Sequence, residues 1–280
     1  KLIKIITGLR RCGKSYLLDP IFKNSLIADG VREDHIIKVD LDSIENRDLT
    51  TDGLNLYNYI MNKIKDNEMY YILLDEIQKV KDFESVLNSF LRKNNLDVYV
   101  TGSNSKFLST DIITEFRGRG DEIRVYPLSF SEFYNAYEDK RRALKDYMTY
   151  GGMPYTVYLK DSEEKSQYLN DLFKNTYIND IIERNKIQRE DILEIIINML
   201  SSSVGSLTNP KKLCDTFISK GYNDINRNTI NSYMNYLQDA FLINKVERYD
   251  IKGKKYITTP SKYYFTDVGL RNARLNFRQQ

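Results

Sequence analysis

Gly8 to Ser15 reads GLRRCGKS and satisfies the pattern G-x-x-x-x-G-K-[S/T] at each constrained position. The spacing has a physical basis. Two glycines let the chain curl until successive N–H groups surround phosphate oxygens, and the helix that follows turns its positive end inward. Lys14 then reaches the β- and γ-phosphates, and the Ser15 hydroxyl is a ligand for Mg²⁺. The segment LIKIIT ahead of the loop is β-branched and YLLDPIF after it is helix-compatible, the strand–loop–helix order such a cradle requires. Gly8, Leu9, Arg10, Arg11, Cys12, Gly13, Lys14, Ser15 and Tyr16 are therefore the expected ATP-binding run. Cys12 lies inside it beside Arg10, Arg11 and Lys14. Those cations and a helix N-terminus would favour a thiolate there, but an inert thiol at a variable loop position is the preferred reading.

Tyr70 to Glu76, YYILLDE, places five apolar or aromatic residues before two acids. So short and apolar a run suits a strand buried on both faces of a parallel sheet, with the acids at the end where ligands bind in open α/β sheets. Asp75 is expected to hold the Mg²⁺ shell and Glu76 to polarise an attacking water. Farther along, LDVYVTGSN ends a strand in small polar residues. Ser103 or Asn104 is placed to orient that water or touch the γ-phosphate, the alternative being a cap on the helix that starts near Lys106.

These groups need a scaffold, and the chain supplies one. Strand-like runs at 2–7, 36–41, 70–74, 97–101 and 122–127 alternate with helical stretches near 15–29, 52–65, 83–93 and 106–116. Such alternation predicts a five-stranded parallel sheet with helices on both faces, an α/β fold of the P-loop NTPase kind over 1–128. After Pro127, Ser129 and Glu132 in LSFSEF form a capping-box signature. Helical spacing then runs to about Ile187, broken at Gly151-Gly152-Met153-Pro154, and predicts a helical lid over 129–189. Beyond Asp191 come three helix signals and two strands around the basic tip Lys252-Gly253-Lys254-Lys255. Pro210 stands at the first turn of the second helix, and Asn226 or Asn228 caps the third. This is the pattern of a winged helix over 190–280.

The 280 residues are 41% hydrophobic and 29% charged, with no apolar run long enough for a membrane span and no signal-peptide core. Cys12 and Cys214 are too few for a disulfide framework, which fits a cytoplasmic setting. His35, the single histidine, argues against a His-based metal centre or triad and reads as a turn residue. The net charge of +3 conceals an asymmetry: residues 1–204 carry −4 and residues 205–280 carry +7. A basic C-terminal third points to an anionic partner, most simply DNA. Arg227, Asn228, Asn231, Ser232 and Asn235 on the third helix suit groove contacts, and Lys252, Lys254 and Lys255 suit phosphates.

The set GLRRCGKS, YYILLDEIQ, VTGSNSKFLS, FRGR, YPLSFSEF, GGMP and KYYFTDVGLRN resembles, in order and over essentially the whole chain, one group of bacterial and archaeal AAA+-like ATPases. The resemblance implies ATP binding and hydrolysis by a P-loop core, followed by a winged helix and usually a nuclease-like domain. The chain starts at Lys1 and stops at Gln280, about where that last domain would begin. The resemblance gives Ser103 or Asn104 the sensor 1 role. It gives Arg117 or Arg119, just before the fifth strand, the role of an arginine finger toward a neighbour's ATP, which implies a homo-oligomer. Pairing with Glu115, Asp121 and Glu122 is their alternative. No sensor 2 arginine stands out. Two functions follow: an ATPase that drives a DNA-binding winged helix, or a nucleotide-dependent switch whose winged helix binds protein.

Overall fold

The computed structural model describes residues 2–102, 120–222, 224–247 and 260–277. The chain gathers into two compact units, Lys1–Val125 and Tyr126–Gln280.

In the first unit five strands form one sheet: β1 (Ile3–Gly8), β2 (Ile36–Asp40), β3 (Tyr70–Asp75), β4 (Leu96–Thr101) and β5 (Gly120–Val125), in the order β2-β3-β4-β1-β5. All four pairings are parallel. Side chains alternate across the pleat, so Ile72 and Leu74 join a core with Leu56, Ile60, Leu87 and Phe90. Leu73 points the other way, toward Leu18 and Leu26. Helices Gly53–Lys63 and Phe83–Leu91 supply the first layer, and the 14–28 segment supplies the second. β3 is therefore covered on both faces, as its unbroken apolar run requires.

The helix expected over 15–29 is broken. Asp19 takes extended angles (φ −148°, ψ 120°) ahead of Pro20, because the proline ring disfavours helical angles at the residue before it. Regular helix resumes at Lys23–Ala28. Asp52 caps Gly53–Lys63 by accepting from Leu54 N at 2.9 Å.

In the second unit the capping box is complete: Glu132 N donates to Ser129 Oγ at 3.3 Å, and Ser129 N donates to Glu132 Oε2 at 2.8 Å. The Ser129 hydroxyl donates to the same Oε2 at 2.7 Å, and this bond together with that from Ser129 N holds Glu132 below its ordinary pKa. Helices Phe130–Ala136, Ala143–Tyr150 and Ser162–Asp171 follow. A buried ion pair ties the last two, with Lys165 Nζ 3.2 Å from Asp146 Oδ2 and both donating groups, Lys165 and Tyr137 OH, turned toward that carboxylate.

Helical segments Leu172–Ile178 and Asn179–Asn185 continue from there, and helices Glu190–Ser202, Pro210–Ser219 and Arg227–Asp239 come after them, then β6 (Ile243–Val246) and β7 (Lys262–Phe265), which pair antiparallel. Pro210 opens its helix behind an Asn209 cap, and Asn226 caps the next by accepting from Thr229 N at 2.9 Å. A further helix, Val268–Arg274, was not among the sequence expectations. Its cap, Asp267, accepts from Leu270 N at 3.0 Å and, through its other oxygen, from Gly152 N at 2.7 Å. Gly151 at φ +71° leaves no room for more than hydrogen there, since a Cβ would lie 2.2 Å from Asp267 Oδ1. The GGMP and FTDVGLRN motifs are thus two sides of one junction.

Candidate functional site

β1, β4 and β3 lie side by side in that order, so the residues at their carboxyl ends meet although far apart in sequence. β1 delivers the loop. Gly8 (φ +142°) pairs with Val125 of β5, and a Cβ there would stand 2.0 Å from the Val125 carbonyl oxygen. Gly13 (φ +104°) turns the loop into the helix that begins at Lys14. Lys14 is buried, and its Nζ donates to the carbonyl oxygens of Gly8 at 3.2 Å and Leu9 at 2.9 Å. Among the described residues it has no carboxylate within ion-pair distance. A buried ammonium held only by neutral carbonyls fits an anionic ligand such as a phosphate.

Ser15 and Tyr16 are exposed beyond it, as are Arg10 and Arg11, while Leu9 is buried. Cys12 has the surroundings of an inert thiol. Its side chain is 3% exposed and turns to β5, with Sγ donating to the Val125 carbonyl at 3.5 Å. Burial pushes the thiol pKa up despite the Lys14 charge.

β3 delivers the acids. Asp75 is buried at its carboxyl end, and Glu76 follows in left-handed backbone (φ 55°, ψ 47°), a conformation that costs a residue with a Cβ about 1–2 kcal/mol. Gln78 Nε2 donates to Glu76 Oε2, and Gln78 Oε1 is buried without a hydrogen-bond partner among the described residues. β4 delivers Thr101, fully buried, which donates from Oγ1 to Asp75 Oδ1 and accepts from Glu76 N at 2.9 Å.

Thr101 and Gln78 are the functional candidates that the sequence reading passed over. Both stood inside segments already singled out. A polar residue closing an apolar strand, and an amide two residues past the acids, were the available signals. Ser103, Asn104, Arg117 and Arg119, and with them Lys252, Lys254 and Lys255, lie outside the described residues. On the helix Arg227–Asp239, Arg227, Asn228, Asn231 and Asn235 are exposed and Ser232 is half-buried, while Ile230, Tyr233, Met234 and Leu237 face inward.

The donor set suits a nucleotide with its cation. Ser15 and Asp75 offer the hydroxyl and carboxylate oxygens that Mg²⁺ prefers. No helix among the described residues is long and apolar enough to cross a membrane.

A family match agrees with this geometry. A family model described as an AAA domain matches residues 1–134, and a domain of unknown function (DUF8612) matches 141–280. An uncharacterised protein of Haemophilus influenzae is 36% identical over 276 residues, which span 96% of this chain and 68% of that protein. One from Methanocaldococcus jannaschii is 28% identical over 293 residues, spanning 98% of this chain and 62% of its own length, so this chain corresponds to less than two thirds of the archaeal protein. Among solved structures, Aeropyrum pernix Orc1 in complex with DNA aligns with 98% of this chain and 86% of its own, at 11% identity and a TM-score of 0.37. Cdc6p of Pyrobaculum aerophilum aligns over the same shares at 10% identity and a TM-score of 0.36. With an AAA-domain match over residues 1–134, a second family match over the C-terminal half and a bacterial relative 36% identical over 96% of this chain and 68% of its own length, the chain belongs to a family of AAA+-like ATPases with a nucleotide-binding fold.

Proposed function

We propose that the protein hydrolyses ATP with Mg²⁺ and uses the nucleotide state to control a DNA-binding winged helix. The observation that carries the ATPase half is the convergence of Lys14, Asp75, Glu76 and Thr101 at the carboxyl ends of three neighbouring strands.

In this reading the loop N–H groups and Lys14 bind the phosphates, and Lys14 exchanges its carbonyl partners for phosphate oxygens. Ser15 and Asp75 hold Mg²⁺, which supplies charge neutralisation on the β- and γ-phosphates. Glu76 orients the water and takes its proton as the oxygen attacks the γ-phosphorus and the bond to the β-phosphate oxygen breaks. Thr101 holds Asp75 and the Glu76 backbone at fixed positions for that step. Ser103 or Asn104 acts as sensor 1. Arg117 or Arg119 reaches a neighbouring copy, so that full turnover requires a homo-oligomer.

For the C-terminal part, three helices followed by an antiparallel pair support a winged helix, and the +7 charge of residues 205–280 supports a polyanionic partner. One observation favours a protein-binding winged helix instead: the exposed face of Arg227–Asp239 carries asparagines and a single arginine. Salt separates the two. Reversing Lys252, Lys254 and Lys255 to glutamate should flatten the slope of log affinity for duplex DNA against log salt by roughly 2–3. An unchanged slope would move the protein-binding reading ahead. For the ATPase half, Lys14→Ala should abolish or severely weaken Mg-ATP binding in calorimetry, and affinity within about twofold of the parent, ~0.4 kcal/mol, would sink the nucleotide reading.

A further inference from the structure

Away from the nucleotide end of the sheet, three side chains that the ATPase chemistry does not use face one another. His35 sits in a short turn, Glu33–His35, that leads into β2, and Asp66 and Glu68 lie in the loop that leads into β3. The imidazole is 3% exposed, and its Nε2 is buried without a hydrogen bond among the described residues. That nitrogen lies 3.3 Å from Asp66 Oδ2, and Nδ1 lies 3.7 Å from Glu68 Oε2. One donor atom from each of the three residues can be chosen so that all lie within 4.8 Å of one another.

We propose that His35, Asp66 and Glu68 form a binding site for a divalent first-row transition ion of the Zn²⁺ class. A buried imidazole nitrogen that makes no hydrogen bond has lost its water without replacing it, a cost of about 1–3 kcal/mol that a metal bond would remove. One imidazole and two carboxylates suit Zn²⁺, Co²⁺ or Ni²⁺ better than Ca²⁺ or Mg²⁺, which take oxygen alone. With metal–ligand bonds of about 2.0–2.2 Å, donors 3.3 Å apart subtend roughly 100°, an angle found in tetrahedral and octahedral shells alike. Glu68 is 67% exposed on its side chain and can swing to complete the set. Water fills the remaining positions from the open side.

The surroundings hold the ligands as outer partners do in metal sites. Tyr70 stacks on the imidazole, centroids 4.2 Å apart and planes 14° from parallel. The Tyr70 hydroxyl is itself fixed, accepting from Lys65 N at 3.0 Å. Asp66 Oδ1 accepts from Glu68 N at 3.0 Å, which leaves Oδ2 turned to His35. Arg32 is the competing charge, 3.6 Å from Asp66 Oδ2 and 3.6 Å from Glu68 Oε2, but its hydrogen bonds go to Asp34 at 3.0 and 2.9 Å. Arg32 thus balances the charge of the carboxylates in the absence of an ion.

The site stands at the amino ends of β2 and β3. Asp75 is at the other end of β3, roughly 17 Å away by strand length, so the ion is separate from any Mg²⁺ held with a nucleotide. A single histidine is enough here because two carboxylates complete the ligand set. Bound metal would pin the 66–68 loop to the start of β2.

The test is a titration of the full purified chain with Co²⁺, read by its visible d–d absorption and by calorimetry, followed by displacement with Zn²⁺. One equivalent should bind without a thiolate charge-transfer band, which excludes Cys12 and Cys214 as ligands. Asp66→Asn, at a partly exposed position that should fold normally, should weaken binding at least tenfold, and His35→Gln should do so by more. Arg32→Gln should tighten it several-fold by removing the like charge. Lys14→Ala should leave it unchanged, which separates this ion from the nucleotide site. Co²⁺ affinity that is absent in the parent chain, or equal in the parent and Asp66→Asn, overturns the site.

Discussion

Thr101 Oγ1 donates to Asp75 Oδ1 and accepts from the backbone N–H of Glu76 at 2.9 Å, so one hydroxyl on β4 fixes both acids at the end of β3. Thr101→Val keeps the shape and removes both bonds. The Glu76 N–H then loses its partner, and stability should fall by ~1–3 kcal/mol in denaturant titrations. ATP turnover should fall more than tenfold while Thr101→Ser retains both properties. Equal turnover in the valine and serine variants would show that Thr101 only packs.

Gln78 holds the Glu76 carboxylate through Nε2. Glu76→Gln should keep ATP binding and lose turnover, because the amide preserves shape without accepting a proton. Gln78→Ala should lower kcat about tenfold and leave KM for ATP unchanged, the signature of a group that positions another rather than binding substrate. A change confined to KM would contradict that role.

Cys12 should resist modification. Its thiol is buried against the Val125 carbonyl, and burial raises its pKa. Iodoacetamide should label it in the native protein orders of magnitude more slowly than in denaturant. Rapid native labelling at neutral pH would restore the thiolate reading.

Asp267 is buried with its pKa raised from 3.8 to about 6, chiefly by desolvation, although Gly152 and Leu270 N–H groups pull it down. The native state therefore binds the extra proton between those values. Its contribution is fully present below about pH 4 and is lost as pH rises through 6, a swing of ~3 kcal/mol from the two pKa values. Unfolding free energies at pH 4.5 and 7 (on the order of those two limits) should differ by less in Asp267→Asn than in the parent, in the direction of a smaller fall toward neutral pH. The amide offers one acceptor oxygen where the ionised carboxylate offers two, so at pH 7 the variant leaves one of the Gly152 and Leu270 N–H groups without its bond to this side chain.

The loop Gly8–Ser15, the run YYILLDE, the cap at Ser129 and, as one of two candidates, the cap at Asn226 were legible from sequence because each is a local arrangement. Glycine positions, strand periodicity and a side chain bonding three residues away depend on short-range geometry alone. Pro20 was equally local, and its break in the first helix could have been read from Asp19-Pro20. The strand order β2-β3-β4-β1-β5 is a different kind of fact, because it depends on which apolar surfaces bury each other across the whole unit. That order brings Thr101 between the phosphate loop and Asp75, and turns Cys12 from a cation-flanked thiol into a buried one. The same long-range packing sets Asp267 against Gly151 and Gly152, and stands His35 beside Asp66 and Glu68. Residue types and spacings specify what chemistry a segment can do, whereas burial and proximity arise only when segments distant in sequence exclude water together.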